Sequence, residues 1–460
     1  MAFLLVAIFV PILTTSSLEA RRAFVRSQAR AELSAVYSDN QNFFEGLRAG
    51  QVRSQIYQTN IGSVSITAKA KDYDRARIET EINVSGAGQT ITFRAIRNNE
   101  LVQPITLVGS ALCSTDFLAS RAIGWSVGSA ISDHRVEILP LRLPLDPLLP
   151  LTDLAVRAGI AFVTADSNQA DLPDLFVIDI SDSKDPRIIG SLDTGPGLAA
   201  IAVAGSMAFA AESSQTAQLQ VFDLSNPKQP RLVAKYKLPL PEASSTAPFG
   251  TTIFYDDRGL VYLGTAKWDG EELNLIDVSL PTSPRKVSGL EIGGQVNDIW
   301  AWQGLVYAAS AGINQLTKID WWNITQPIIT AIFNPDGWSR QSGKVLDSFG
   351  ENLVWGRTAG GFNIQNDHEI FFWNYSTSTP LSADIAGGVY GLVVDRQHIF
   401  MATRSPDQEF AVSDSGLDQE TMMSYALPAA PQTLACDLDK LYLLAHTAPV
   451  IYEIKKTITQ

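Results

Sequence analysis

The sequence predicts a mainly β molecule: a seven-bladed β-propeller preceded by a long N-terminal α-helix and a small antiparallel sheet. Three observations carry this. A strand-and-turn phrase recurs at roughly blade-length intervals, as in Leu175–Pro186 and Leu219–Pro230. Each copy is flanked by further short apolar elements with no helical stretch between them. Ahead of the array, an uncharged apolar run passes into an amphipathic pattern and then into strict alternation. The expected divisions are a helix at residues 1–50, a small β domain and connector at 51–133, and the propeller at 134–460.

The first element is the helix. Met1 to Leu18 carries no charge, at the short edge of the ~20 apolar residues that span a bilayer. No Lys or Arg precedes the run and no small-x-small cleavage site follows it, which disfavours a secretory signal. Leu18, Val25, Val36, Phe43 and Leu47 then return to one helical face, while Arg22, Arg26, Arg30 and Glu45 lie opposite. Pro11 predicts a kink, and Gly46 and Gly50 supply the stop. Next, Gly62–Ala70, Ala76–Gly86 and Gln89–Arg97 alternate as three strands, with Gly86-Ala87-Gly88 as a hairpin signal.

An apolar-then-amphipathic helix followed by a small sheet resembles the type IV pilins, over about residues 1–100. The resemblance implies a helix that anchors the subunit in the membrane and later packs against other pilin subunits in a filament. The basic leader, the Gly before the cleavage point and the Glu five residues into the mature chain are not found here. A plain signal anchor with a coiled stalk is the competing reading.

The body is the repeat array. Asp179, Asp223, Asp277 and Asp320 are 44, 54 and 43 residues apart, and each has a Pro seven residues on: Pro186, Pro230, Pro284 and Pro327. Two short apolar elements precede each phrase and one follows it, giving four strands per unit. A lone unit would expose both faces of its sheet, so the units must stack and close into a ring. The fifth unit keeps its Pro as Pro380 but is expected to carry Trp373 where the Asp belongs. The seventh lacks a fourth strand, and His134–Pro144 is the expected donor. The phrase resembles the LVIVD repeat, over residues 151–335 well and 336–460 weakly. That resemblance implies a propeller and an extracellular or surface location, and no particular activity.

Charge narrows the partners. Residues 151–460 hold 20 Lys/Arg against 35 Asp/Glu, whereas residues 1–150 are nearly balanced at 15 and 13. An acidic body repels phosphate backbones, so no nucleic acid partner is expected. The two cysteines, Cys113 and Cys436, form no C-x-x-C pair. Outside the cytosol they either pair as a disulfide or pack as small buried thiols.

Candidate sites are few. The repeated Asp reads as turn chemistry, its carboxylate accepting backbone N–H bonds, rather than as a ring that binds a cation. Asp166, Asp171 and Asp174, with Asp414 and Asp418, sit in oxygen-rich stretches that give weak calcium candidates against the reading of solvated turns. His134, His368, His398 and His446 are scattered, and no H-E-x-x-H, G-x-S-x-G or phosphate-binding Gly loop exists, so no catalytic residue and no other cofactor is expected. Tryptophans concentrate in the fourth and fifth units. Most read as packing, and Trp321, Trp322 and Trp338, in expected loops, are the candidates for an exposed surface that binds a protein or carbohydrate. The resulting expectation is a non-enzymatic minor pilin or pseudopilin that displays an adhesive propeller at the cell surface. The alternatives are a membrane-anchored extracellular scaffold, or a propeller enzyme using its central channel.

Overall fold

A computed structural model describes residues 52–98 and 135–457, apart from short connecting segments. The chain divides into two compact units, Met1–Val108 and Gly109–Gln460. The expected helix of residues 1–50 lies outside the described residues. Among those residues no helix is long and apolar enough to cross a membrane.

The first unit contains β1 (Val52–Thr59), β2 (Gly62–Asp74), β3 (Arg77–Gly86) and β4 (Gln89–Asn98), an antiparallel meander in that order. It has one strand more than the alternation suggests, because β1 lacks a clean period. Gly86 pairs with Gln89, so the hairpin turns where the glycines stand. Val64, Ile66 and Ala68 are fully buried, which gives β2 one covered face.

The second unit is a ring of seven four-stranded antiparallel blades. One strand, β5 (Arg135–Arg142), precedes the first complete blade. Blade 1 is β6 (Leu151–Arg157), β7 (Ile160–Ala165), β8 (Leu175–Asp179) and β9 (Arg187–Leu192). Blade 2 is β10 (Leu198–Ala204), β11 (Met207–Glu212), β12 (Leu219–Asp223) and β13 (Arg231–Tyr236). Blade 3 is β14 (Gly250–Asp256), β15 (Leu260–Thr265), β16 (Leu273–Asp277) and β17 (Arg285–Leu290). Blade 4 is β18 (Val296–Trp302), β19 (Leu305–Ser310), β20 (Leu316–Asp320) and β21 (Ile328–Phe333). Blade 5 is β22 (Gly343–Phe349), β23 (Asn352–Arg357), β24 (Ile370–Asn374) and β25 (Leu381–Ala383). Blade 6 is β26 (Val389–Val394), β27 (His398–Thr403), β28 (Phe410–Asp414) and β29 (Met423–Tyr425). Blade 7 is β30 (Pro431–Asp437), β31 (Lys440–Ala445), β32 (Val450–Thr457) and, as its outer strand, β5.

Closure is therefore made by the chain ahead of blade 1, as its position predicts. Val450 pairs with Arg142 and Thr457 with Arg135. The seam is reinforced across blades 7 and 1. Buried Glu453 accepts from Ser183 Oγ at 3.0 Å and Lys440 Nζ at 3.3 Å, and Asp437 accepts from the Gly159 N–H. The first strands of neighbouring blades pack against each other all the way round, from β6 through β10, β14, β18, β22, β26 and β30 back to β6. They line the central channel. Apolar residues of second and third strands fill the space between blades, as Val163, Phe176 and Ile178 of blade 1 do against Tyr442 and Ile451 of blade 7.

The recurring phrase resolves into a third strand and its exit turn. Asp179 Oδ1 accepts from Ser181 N–H at 3.0 Å and Ser181 Oγ at 2.6 Å. Asp277 repeats this with Ser279 and also pairs with Arg285 at 2.7 Å. Asp223 accepts from Ser225 N–H and pairs with Arg231 at 2.5 Å; Asp320 accepts from Trp322 N–H. The Ser181 and Ser279 bonds hold the Asp179 and Asp277 carboxyls below the usual range. Partial burial opposes this at Asp223, but the Ser225 bonds and Arg231 outweigh it.

Register and burial correct two sequence expectations, at Trp373 and Trp321. Asn374, not Trp373, faces the first residue of its second strand as Asp179 faces Ile160. Blade 5 has thus exchanged Asp for Asn, and Trp373 takes the place that Ile178 has in blade 1. Asp414 faces His398 in the same way, so it holds the last position of the third strand of blade 6. Trp321 follows its turn aspartate as Ile180, Leu224 and Val278 follow theirs, and all four are buried. Trp321 is 0% exposed, stands edge-on to Tyr262 at 5.4 Å, and donates to Ser288 Oγ at 3.0 Å. It belongs to the core between blades and to no binding surface.

Candidate functional site

Every first strand carries a β-bulge at its second residue, where the register slips against the second strand. A bulge re-aims side chains and twists the strand. Here it places seven residues, one per blade, at one end of the channel: Thr152, Ala199, Thr251, Asn297, Lys344, Tyr390 and Gln432. All are partly exposed. In blades 1, 3 and 4 these residues reach the next blade. Thr152 Oγ1 donates to Leu198 O, Thr251 Oγ1 to Val296 O and Asn297 Nδ2 to Gly343 O, at 2.5–2.7 Å.

Three carboxylates stand beside or below this ring. Asp153 Oδ1 and Oδ2 accept from Leu154 N–H and Ile201 N–H, both at 2.9 Å. Asp298 accepts from Ile299 N–H and Leu346 N–H, and Asp347 from Ser348 N–H and Val394 N–H. Each therefore ties its blade to the next. Burial pushes Asp153 up to about 6 and Asp298 and Asp347 up to about 7, against the backbone bonds that favour ionisation. These side chains are only partly covered by area, yet the lumen they face is walled by protein. Asp153 on blade 1 and Asp298 on blade 4 act on each other electrostatically. Blades on opposite sides of the ring can do so only across the lumen.

Blades 5 to 7 present the opposite charge. The Lys344 ammonium lies 5.9 Å from the Tyr390 ring centre, and the Arg404 guanidinium lies 3.8 Å from it. Arg404 also donates to Gln432 Oε1 at 2.9 Å. Burial lowers the Lys344 amine, and the Arg404 charge adds to that while Asp298 and Asp153 oppose it. His446 is exposed near this group, its pKa lowered by partial burial and by Arg404 and Lys344.

The sequence candidates fall elsewhere. Asp174 is fully buried, and its Oδ2 accepts from Thr194 N–H at 3.0 Å and Thr194 Oγ1 at 2.9 Å. Burial first, then Asp193, raises it to about 6 despite those bonds. The same position, just ahead of the third strand, recurs. Gln218, Glu272, Glu369 and Glu409 accept from the N–H groups of Leu238, Ile292, Ile385 and Leu427. Asp174 is one of a set of staples that fix the chain after the fourth strand in blades 1, 2, 3, 5 and 6. A signal for them stood in the sequence: an acid or amide directly precedes the third strand of blades 1 to 6. Asp166 is half-buried and raised by burial. Asp171, Asp418 and Trp338 lie outside the described residues, as does the side chain of Asp414. Among the described residues no three His, Cys, Asp or Glu side chains converge in a metal-holding group. Trp322 is 61% exposed. Cys436 is buried on β30 and disulfide-bonded, and Cys113 lies outside the described residues.

Residues 152–194 and 199–237 match the LVIVD repeat. The chain carries LVIVD repeats. Each match starts on the bulge residue of a first strand and ends just past the fourth, so one repeat is one blade. No curated protein sequence matches the chain. Among solved structures, the chain is similar to Raptor of Chaetomium thermophilum at 11% identity, covering 72% of this chain and 29% of that one, with a TM-score of 0.53. It is also similar to the computationally designed Ika8 protein (12% identity, 83% and 94% covered, TM-score 0.46). A third likeness is to the periplasmic gluconolactonase PpgL of Pseudomonas aeruginosa (8% identity, 83% and 99% covered, TM-score 0.48). At 11% identity the likeness to Raptor is one of fold alone.

Proposed function

We propose that this protein is a surface-displayed recognition module, a propeller carried outward on an N-terminal anchor of the type IV pilin kind. The reading is a minor pilin or pseudopilin, since a body of this bulk would clash if repeated in every layer of a filament. The observation that carries recognition is the exposed apolar group at the exit turn of blade 4. Trp322 is joined there by Ile324 and Ile328, and Ile328 is 63% exposed. Singly exposed apolar residues are ordinary, but a grouped Trp and two Ile on an acidic body is what a protein or carbohydrate partner would use. The anchor is supported by the uncharged run Met1–Leu18 and the amphipathic pattern after it.

The role is non-enzymatic. Each lumen carboxylate spends both oxygens on backbone N–H groups, an arrangement suited to holding blades in place. Deleting residues 1–50 is expected to remove the protein from the sheared filament fraction and leave a soluble, folded propeller. Retention in that fraction, or an unfolded product, would refute the reading.

A further inference from the structure

The rim of the channel between blades 5 and 7 holds two cations that, among the described residues, touch no carboxylate, although Asp298 and Asp153 act on Lys344 from a distance. Among the described residues Lys344 makes no hydrogen bond or ion pair, and its ammonium lies over the Tyr390 ring. Among the described residues Arg404 donates to neutral oxygens, Gln432 Oε1 at 2.9 Å and Pro431 O at 3.5 Å. Several basic side chains elsewhere on the propeller do reach carboxylates, as Arg231 does Asp223, Arg285 does Asp277 and Lys267 does Glu272. In a body with 35 acidic and 20 basic residues, leaving these two side by side is not a shortage of partners. Two like charges in a walled lumen repel and are poorly solvated, and a bound anion relieves both costs.

The bulges explain how they meet. Lys344, Tyr390 and Gln432 are the bulge residues of consecutive blades, and Arg404 directly follows the second strand of the middle one. Tyr390 is thus a platform with a cation on its face, and Gln432 fixes the guanidinium above it. Among the described residues the remaining Arg404 N–H groups and the ammonium reach no acceptor. Asp153 and Asp298 act on Lys344 from either side of the group, so a doubly charged anion is penalised more than a singly charged one.

We propose that this rim is a binding site for a small organic acid, with Lys344 and Arg404 holding its carboxylate beside the Tyr390 ring. The site is separate from the Trp322 group and stands or falls without the filament reading. Ligand-observed NMR titration of the full chain with lactate, and separately with inorganic phosphate, tests it. Saturable lactate binding is expected, weakened about tenfold or more in Lys344→Met as a charge-assisted hydrogen bond is lost. Lys344→Arg should recover most of the affinity. Because Lys344 makes no hydrogen bond or ion pair among the described residues and burial disfavours its charge, Lys344→Met should melt no lower than the parent, which separates lost binding from lost folding. Absence of saturable lactate binding, binding unchanged in Lys344→Met, or phosphate bound more tightly than lactate would each overturn the assignment.

Discussion

Trp321 and Trp322 are neighbours in the chain and opposites in the fold. Trp321 fills the wedge between blades 3 and 4 beneath its turn, whereas Trp322 stands in the outward serine position of that turn. Trp321→Ala should cost about 3–5 kcal/mol, read by denaturant unfolding, because a buried indole leaves a cavity. Trp322→Ala should stay within about 0.5 kcal/mol of the parent. Equal losses at the two sites would contradict the burial assigned to them. The difference was legible: reading the copies in register puts Trp321 with Ile180, Leu224 and Val278. A count of aromatics by region hides it, because adjacent residues on a turn face opposite ways.

Elements carry a second layer of repetition that composition conceals. Glu272 receives Ile292 N–H at 2.7 Å and Lys267 at 2.6 Å, joining a third strand to the chain beyond the fourth. Glu272→Ala should lower stability by about 1–3 kcal/mol, since it strands a buried N–H donor. A change below measurement error would reject the staple. The closing strand β5 was foreseeable from a three-stranded seventh unit and an orphan strand ahead of the first. Without it, β32 becomes a bare edge. A chain begun at Leu151 should therefore self-associate in light scattering, whereas one begun at residue 120, equally without Cys113, should not. Two monodisperse products with the same melting temperature would argue against the closure.

At the scale of the whole ring, charge is organised around the lumen rather than within any blade. Asp153, at about 6, and Asp298 and Asp347, at about 7, bind protons more tightly folded than unfolded, where aspartate titrates near ~3.9. Their contribution to stability is greatest below the unfolded value and falls as pH rises from about 4 to 7. The melting temperature should accordingly climb as pH is lowered from about 8 to 5.5. A flat or falling profile over that window would contradict the lumen placement. Asp179, Asp223 and Asp277 have lowered values and act in the opposite sense, but only below about pH 4.

Sequence alone determined the blade count, the unit length, the closing strand and the turn role of the repeated aspartate. Strand period and turn chemistry are local, and repetition multiplies a local signal. What only the tertiary structure decided is what faces the lumen. Lys344, Tyr390, Gln432 and Arg404 come from three blades, and Asp153 and Asp298 from two more, and none stands out where it occurs in the chain. A bulge shifts which residues turn inward, and ring closure alone makes Asp153 and Asp298 neighbours across the channel. The recurring phrase builds the walls; the residues that differ from blade to blade give the channel its chemistry.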